Sequence, residues 1–199
     1  MRRVRVWDAP TRIGHWLLAT SFLVAYLTAE REAWRLIHVK AGYVMLAVLL
    51  FRILWGVAGT RHARFSDFLF SPRVLWRYLR TLLRGQPSHF TGHNPAGAVS
   101  IFVLLLAGGA VVATGIASYE AWGGDWLAEW HDGLSEAMLI VVGIHVAGVL
   151  AGSLLHHENL AAAMITGKKL GADDEAIAPA AGLWGCAVLL LVVIVALWW

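Results

Sequence analysis

Cysteine, proline and charged residues are all scarce in this 199-residue sequence. The single cysteine, Cys186, excludes an internal disulfide and any C-x-x-C-H motif for covalent cofactor attachment. Only 15% of the residues are charged, whereas 59% are hydrophobic and eleven are tryptophan. This composition lies outside the range of soluble globular domains. We therefore expect an integral membrane protein without a nucleic-acid partner.

Long apolar stretches support this expectation. Five of them reach the length of about 20 helical residues that crosses a hydrocarbon core of about 30 Å. They cover roughly residues 13–29, 36–58, 95–119, 133–155 and 178–199. The basic start and apolar run of the first stretch also fit a cleaved signal peptide, but no persuasive small-residue cleavage site follows. An acidic linker, beginning at residue 171, precedes the last stretch.

The basic residues indicate an orientation. Thirteen of the sixteen lie before the first stretch, at or beyond the end of the second, or just after the fourth. The positive-inside rule places these regions in the cytoplasm, and the acidic loop 120–136 on the opposite side. The sequence therefore predicts a cytoplasmic N-terminus and, after five crossings, a periplasmic C-terminus.

The connection over about residues 60–94 is long, polar and basic. Within it, Ser71 and Pro72 are typical of a helix start, and Gly85 is typical of a helix end. Four arginines recur between them at helical spacing, namely Arg73, Arg77, Arg80 and Arg84. We expect an amphipathic helix on the cytoplasmic membrane surface, with its basic face toward anionic lipid or toward a cytoplasmic partner.

Two histidines, His131 and His145, lie fourteen residues apart within the fourth stretch. In a helix, that spacing returns the side chain to within roughly 40° of the same face, about 21 Å further along the axis. Ionisable residues at membrane depth usually face the interior of a bundle. The spacing therefore suggests two cofactors at two depths, and haem b suits them because imidazole is one of its axial ligands.

The orientation also pairs these histidines with two others. His15 begins the first stretch near the cytoplasmic side, and His38 begins the second near the outer side. Depth thus pairs His38 with His131, and His15 with His145. An alternative inner ligand is His156 or His157, at the far end of the fourth stretch.

Three arginines are candidate partners for haem propionates, because guanidinium forms strong hydrogen bonds with carboxylates. Arg52 follows His38 by fourteen residues and so shares its helical face at the depth of the inner pair. Arg12 and Arg35 each precede a proposed ligand by three residues. Snorkelling of Arg52 to the headgroups is the alternative interpretation.

Several strings resemble the bacterial cytochrome b561 family, which includes the b-type cytochrome subunits of nickel-iron hydrogenases. They are RIGHW at 12–16, H38 followed by GY at 42–43, WG at 55–56, GTRHARF at 59–65, GHNP at 92–95 and AMITGK at 163–168. The resemblance covers roughly residues 4 to 170. It implies a four-helix bundle in the bacterial inner membrane, holding two haems b through His15, His38, His131 and His145. The fifth apolar segment, beyond residue 171, departs from this pattern.

The leading hypothesis is a transmembrane electron carrier, either freestanding or as the membrane subunit of an oxidoreductase. The resemblance suggests a quinone or quinol at one end, and a hydrogenase, dehydrogenase or cytochrome c at the other. The fifth segment is then an anchor, or a contact with a partner subunit or a second copy of the chain. Two further hypotheses are a small transporter or channel whose histidines bind protons or metal ions, and a membrane anchor without a cofactor.

Overall fold

The computed structural model describes residues 2–86 and 88–198, which form seven α-helices and two short strands. The helices are α1 (Ala9–Thr28), α2 (Arg35–Ala58), α3 (Pro72–Leu83), α4 (Pro95–Tyr119), α5 (Trp126–Leu155), α6 (Leu160–Thr166) and α7 (Leu183–Trp198). The strands are β1 (Arg2–Arg5) and β2 (Lys168–Gly171). Short 3₁₀ turns cover Glu32–Trp34, Phe65–Phe68 and Asp173–Glu175.

Side-chain caps and prolines mark where two of the long helices begin. The Asp8 carboxylate accepts a hydrogen bond from Thr11 N at 2.8 Å, and a proline lies in the first turn of α1. The Asn94 side chain likewise accepts one from Gly97 N at 2.7 Å, directly before Pro95 opens α4. Both pairings satisfy backbone donors that the first turn of a helix leaves free.

Three helical segments are long and apolar enough to cross a membrane, namely Glu32–Ala58, Pro95–Tyr119 and Trp126–Leu155. They correspond to the second, third and fourth predicted stretches. The first predicted stretch lies in α1, which is 20 residues long but less apolar because Arg12, His15 and several hydroxyl residues lie within it. The last stretch forms α7, which has only 16 residues.

The helices pack as two antiparallel pairs, α1 with α2 and α4 with α5, and α2 joins the pairs through its contacts with α4. Met45, Leu49 and Val112 lie in the core between the pairs. A second cluster unites α2 and α7, where Leu189 packs beside Val48. Large apolar side chains elsewhere point outward, as expected where lipid rather than water surrounds the helices.

A small antiparallel sheet closes one end of the bundle. β1 pairs with β2, with Arg2 opposite Gly171 and Arg5 opposite Lys168. The all-α prediction misses this sheet, because two four-residue strands separated by more than 160 residues give no local periodicity. Next to the sheet, the Asp8 carboxylate also accepts hydrogen bonds from Trp55 Nε1 at 2.9 Å and Thr60 Oγ1 at 2.6 Å. Asp8 therefore ties the start of α1 to the end of α2.

Candidate haem sites

One pair of histidines lies where α2 meets α5. The ring centroids of His38 and His131 are 6.0 Å apart, with the rings nearly perpendicular. Both residues line a cavity of about 600 Å³, which is within the usual size of a cofactor site. A nitrogen–metal bond of about 2 Å on each side, plus the two ring radii, would place centroids about 6 Å apart. The spacing thus suits two imidazoles that share one metal centre.

A second pair lies where α1 meets α5. His15 and His145 have ring centroids 6.5 Å apart. Helix α5 contributes to both pairs, and the fourteen-residue spacing along it puts this pair about 21 Å from the first, near the sheet-capped end of the bundle. The two pairs are those that the depth argument predicts.

Hydrogen bonds at Nδ1 orient three of the four rings. His38 Nδ1 donates to the carbonyl of Ala25 at 2.8 Å, and His131 Nδ1 donates to that of Val111 at 2.9 Å. A carbonyl only accepts, so each Nδ1 carries the proton and each Nε2 keeps its lone pair for a metal. This arrangement is typical of metal-bound histidines. His145 Nδ1 lies 3.2 Å from the Ser100 hydroxyl, which can fix its ring similarly.

His15 differs from the other three. Its Nδ1 atom is buried and has no hydrogen-bond partner among the described residues. Thr11 lies four residues earlier on the same helix, and its hydroxyl is also buried and unpaired. The two groups thus occupy one helical face.

Glycines leave room beside the His38–His131 pair. A Cβ atom on Gly115 would lie 2.8 Å from Cε1 of His131, so any side chain there would displace the ring. Gly42 lines the cavity that His38 and His131 share, and a Cβ atom on it would meet nothing within 4 Å. Small residues at these positions are compatible with a flat macrocycle packed against the helices.

The three candidate arginines have different surroundings. Arg35 lines the cavity that His38 and His131 share. Its side chain is mostly exposed there, and its Nη1 atom lies 3.6 Å from the Glu32 carboxylate. Arg12 donates to the backbone carbonyls of Asp8 and Ile165, so two of its five N–H groups are engaged within the protein. Arg52 stacks on Phe65, and its buried Nη1 has no hydrogen-bond partner within residues 2–86 and 88–198.

The other histidines lie outside both pairs. His62 Nε2 donates to the carbonyl of Glu175 at 2.8 Å, and His89 Nε2 donates to that of Leu170 at 3.0 Å. The ring of His156, an alternative inner ligand, lies 6.3 Å from that of His89, and its Nε2 is 3.5 Å from the Tyr78 hydroxyl. It is His145, therefore, whose ring faces His15.

The donor set favours a particular kind of cofactor. A bare metal ion in a protein generally takes three or more protein ligands. In the part of the chain that the structure describes, no group of three or more His, Cys, Asp or Glu side chains is arranged to hold one. Two facing imidazoles suit a metal that brings its remaining ligands with it, as iron does in a porphyrin. The residues present therefore fit haem.

Comparison with known families decides the classification. The model of the family described as prokaryotic cytochrome b561 matches residues 6–167. The chain belongs to this family. It is thus a haem-containing electron-transport cytochrome of a prokaryotic membrane, as the sequence strings at 12–16 and 92–95 predict.

Curated relatives of this cytochrome share one description. The chain is 26% identical to the probable Ni/Fe-hydrogenase B-type cytochrome subunit of Azotobacter vinelandii, over 86% of this chain and 90% of the relative. It is 28% identical to the protein of the same description from Rhizobium leguminosarum, over 86% and 91%. The probable Ni/Fe-hydrogenase 1 B-type cytochrome subunit of Escherichia coli K12 is 31% identical over 58% and 60%. No solved structure matches the chain.

Sequence reasoning missed the groups that surround the histidines. Ser100 and Gly115 were not predicted, and neither were the carbonyls of Ala25 and Val111 that bind Nδ1 atoms. A serine within an apolar helix is a signal that could have identified Ser100, because polar residues at membrane depth usually have a partner. Backbone carbonyls carry no such signal, since every residue has one.

Proposed function

We propose that this cytochrome holds two haems b and moves electrons across the inner membrane between a quinone or quinol and a redox protein. The observation that carries the proposal is the pair of facing imidazole couples, with centroids 6.0 Å and 6.5 Å apart, on a four-helix unit made of α1, α2, α4 and α5. The ligands are His38 with His131 near the outer surface and His15 with His145 near the cytoplasmic one. Haem b, when bound, supplies one-electron redox chemistry at each depth.

The protein's own contribution is to fix and isolate these positions. Two imidazoles at each level would supply both protein ligands of a haem iron, which would leave no open site for oxygen or another small ligand. The carbonyls of Ala25 and Val111 hold the outer rings in one tautomer, with Nε2 available to a metal. Arg35 at the outer cavity and Arg52 near the inner pair supply positive charge for propionates, and nearby charge of this kind tunes the potential.

The domain boundary follows from the same proposal. We assign residues 1–170 to the dihaem unit, and residues 171–199 to an acidic linker and an additional helix. The family match, which ends at residue 167, supports this division. The additional helix, α7, packs on α1 and α2. Leu189 is buried there, and the ring centroids of Trp184 and Trp55 lie 4.7 Å apart. Its outward face, which includes Leu190 and Leu191, is free for a partner subunit or a second copy.

A nickel-iron hydrogenase is the redox protein that we propose, because the curated relatives are described as subunits of such enzymes. The chain is then the membrane subunit of an oxidoreductase rather than an enzyme by itself. With a cytoplasmic N-terminus and a periplasmic C-terminus, the acidic loop between α4 and α5 faces the periplasm. That loop and the exposed Trp122 and Trp126 offer a docking surface on that side.

Electron transfer across a sealed membrane tests this function. The purified cytochrome is reconstituted in liposomes that enclose ferricyanide, and a membrane-soluble quinol is added outside. We expect ferricyanide to be reduced by the wild type but not by the double variant His131→Ala/His145→Ala, which lacks one ligand of each pair. Equal rates with the two proteins, after correction for quinol leakage, would contradict the proposal.

A further inference from the structure

Arg52 of α2 has a buried guanidinium atom without a hydrogen-bond partner among the described residues. The guanidinium stacks on the Phe65 ring at 4.7 Å, and its Nη1 atom is buried. Among the residues described, no carboxylate lies within ion-pair distance of it. A buried charge without a partner is strongly destabilising. The protein fold by itself therefore leaves this cation in need of an anion.

His93 has a buried ring nitrogen of the same kind. Its ring is sandwiched between Trp7 and Phe68, with centroid distances of 4.4 Å and 4.5 Å. Its Nδ1 atom is buried and, in the described part of the chain, has no hydrogen-bond partner. Burial, together with the nearby charges of Arg52 and Lys169, lowers the pKa of His93 well below its ordinary value. The neutral ring still has one N–H group to donate.

Asp8, the acidic residue whose charge acts on Arg52, is engaged by other donors. Asp8 is buried, and its carboxylate accepts hydrogen bonds from Thr11 N, Trp55 Nε1 and Thr60 Oγ1. The neighbouring Asn94 is also occupied, because its side-chain oxygen caps α4. Neither side chain pairs with Arg52 Nη1 or His93 Nδ1, so among the described residues both atoms stay available to a ligand.

Aromatic residues connect Arg52 and His93 to the inner pair. Phe102 of α4 packs against both Phe65 and Phe68, the rings that contact Arg52 and His93. Ser100, two residues earlier on α4, lies 3.2 Å from His145 Nδ1. The two donors and the inner imidazole couple thus occupy the same end of the bundle.

From this arrangement we infer that His93 is a positioning residue, which joins Arg52 in binding a carboxylate, and that the carboxylate is a propionate of the inner haem. The inference rests on the proposed function and adds a second donor to it. A guanidinium and a ring N–H together hold a carboxylate more strongly than one donor, since charge-assisted hydrogen bonds are the stronger kind. His93 would then set the inner potential without binding iron.

Resonance Raman spectroscopy tests the inference, because the propionate bending band reports hydrogen bonds to that group. The holoprotein is compared with His93→Leu, which removes the donor, and with His93→Asn, whose amide N–H lies close to the position of Nδ1. His89→Leu, in the same loop, is the matched control. Each of these proteins is also prepared in the His131→Ala background, which lacks the outer haem, so that only the inner haem contributes to the spectrum.

We expect His93→Leu to shift the inner propionate band. It should also lower the equilibrium constant for reduction of the inner haem about tenfold, which is about 59 mV for one electron. The reason is that a less neutralised carboxylate disfavours the added electron. His93→Asn should retain most of the wild-type band, and His89→Leu all of it. If His93→Leu does not fold, Arg52→Gln removes the other donor and should shift the same band.

Two results would overturn the inference. One is an unchanged band and potential in His93→Leu and Arg52→Gln with haem still bound. The other is a difference between wild type and His93→Leu that arises only when phosphate is added to the buffer, since the site would then bind a free anion. Failure of the proposed function looks different, because the wild type itself would then contain no haem.

Discussion

The ring centroids of His38 and His131 lie 6.0 Å apart, and the Nδ1 atom of each ring donates a hydrogen bond to a carbonyl of another helix. Ala25 of α1 fixes the first ring, and Val111 of α4 fixes the second. Four helices thus contribute to one pair of imidazoles. The position of this histidine pair consequently depends on packing of the whole bundle.

Removal of one outer ligand should leave the inner site intact. We expect His131→Ala to bind one haem instead of two, because His15 and His145 lie on a separate level of the bundle. The haem content per chain, measured as the pyridine haemochrome, checks this. His89→Ala, whose ring lies outside both pairs, should keep both haems. Loss of only the inner haem in His131→Ala would reverse the assignment of depth.

A methyl group at Gly115 should disturb the outer site, at His38 and His131, without removal of a ligand. The added Cβ would lie 2.8 Å from His131 Cε1, so the ring must turn away from its partner. We expect about a tenfold or greater loss of outer-haem affinity in Gly115→Ala, comparable to loss of a group that orients a metal ligand. Gly109→Ala on the same helix is the control, because a Cβ atom there meets nothing within 4 Å. Equal haem affinity in the two variants would show that His131 does not hold haem in this position.

The hydroxyl of Ser100 should matter for the inner haem. Its oxygen lies 3.2 Å from His145 Nδ1, and loss of such an orienting partner typically costs about 10- to 100-fold in metal affinity. We expect Ser100→Ala to release the inner haem that much more readily to apomyoglobin, a haem acceptor. Ser71→Ala, whose hydroxyl makes no capping hydrogen bond, should release it at the wild-type rate. A wild-type rate in Ser100→Ala as well would remove Ser100 from the site.

The helical stretches and both histidine pairs follow from the sequence because they obey local rules. Apolar length predicts the helices, and the fourteen-residue interval of His131 and His145 predicts two levels on one face. The sheet, by contrast, joins Arg2 to Gly171, and no local pattern announces so distant a pairing. The enclosure of His93 between Trp7 and Phe68 likewise comes from tertiary packing, so no local pattern predicts it.

The carboxylate of Asp8 should be important for stability rather than for the cofactor. Asp8→Ala would leave two buried donors, Thr11 N and Trp55 Nε1, without this acceptor, and each buried orphan costs about 1–3 kcal/mol. We expect a clear fall in the apparent Tm of the detergent-solubilised protein. Asp67→Ala breaks a single surface ion pair with Arg64, which is worth about 0.2–1 kcal/mol, and should lower Tm little. Similar Tm values for the two variants would contradict the role of Asp8 as a tie between α1 and α2.

The central claim, that two imidazole couples each hold one haem b, is tested most directly by the absorption spectrum of the detergent-purified protein expressed with adequate haem. The account predicts two b-type haems per chain, both low-spin because both axial positions are filled, and both reducible by dithionite. A colourless protein would contradict it, as would a single haem per chain or a high-spin spectrum at either site.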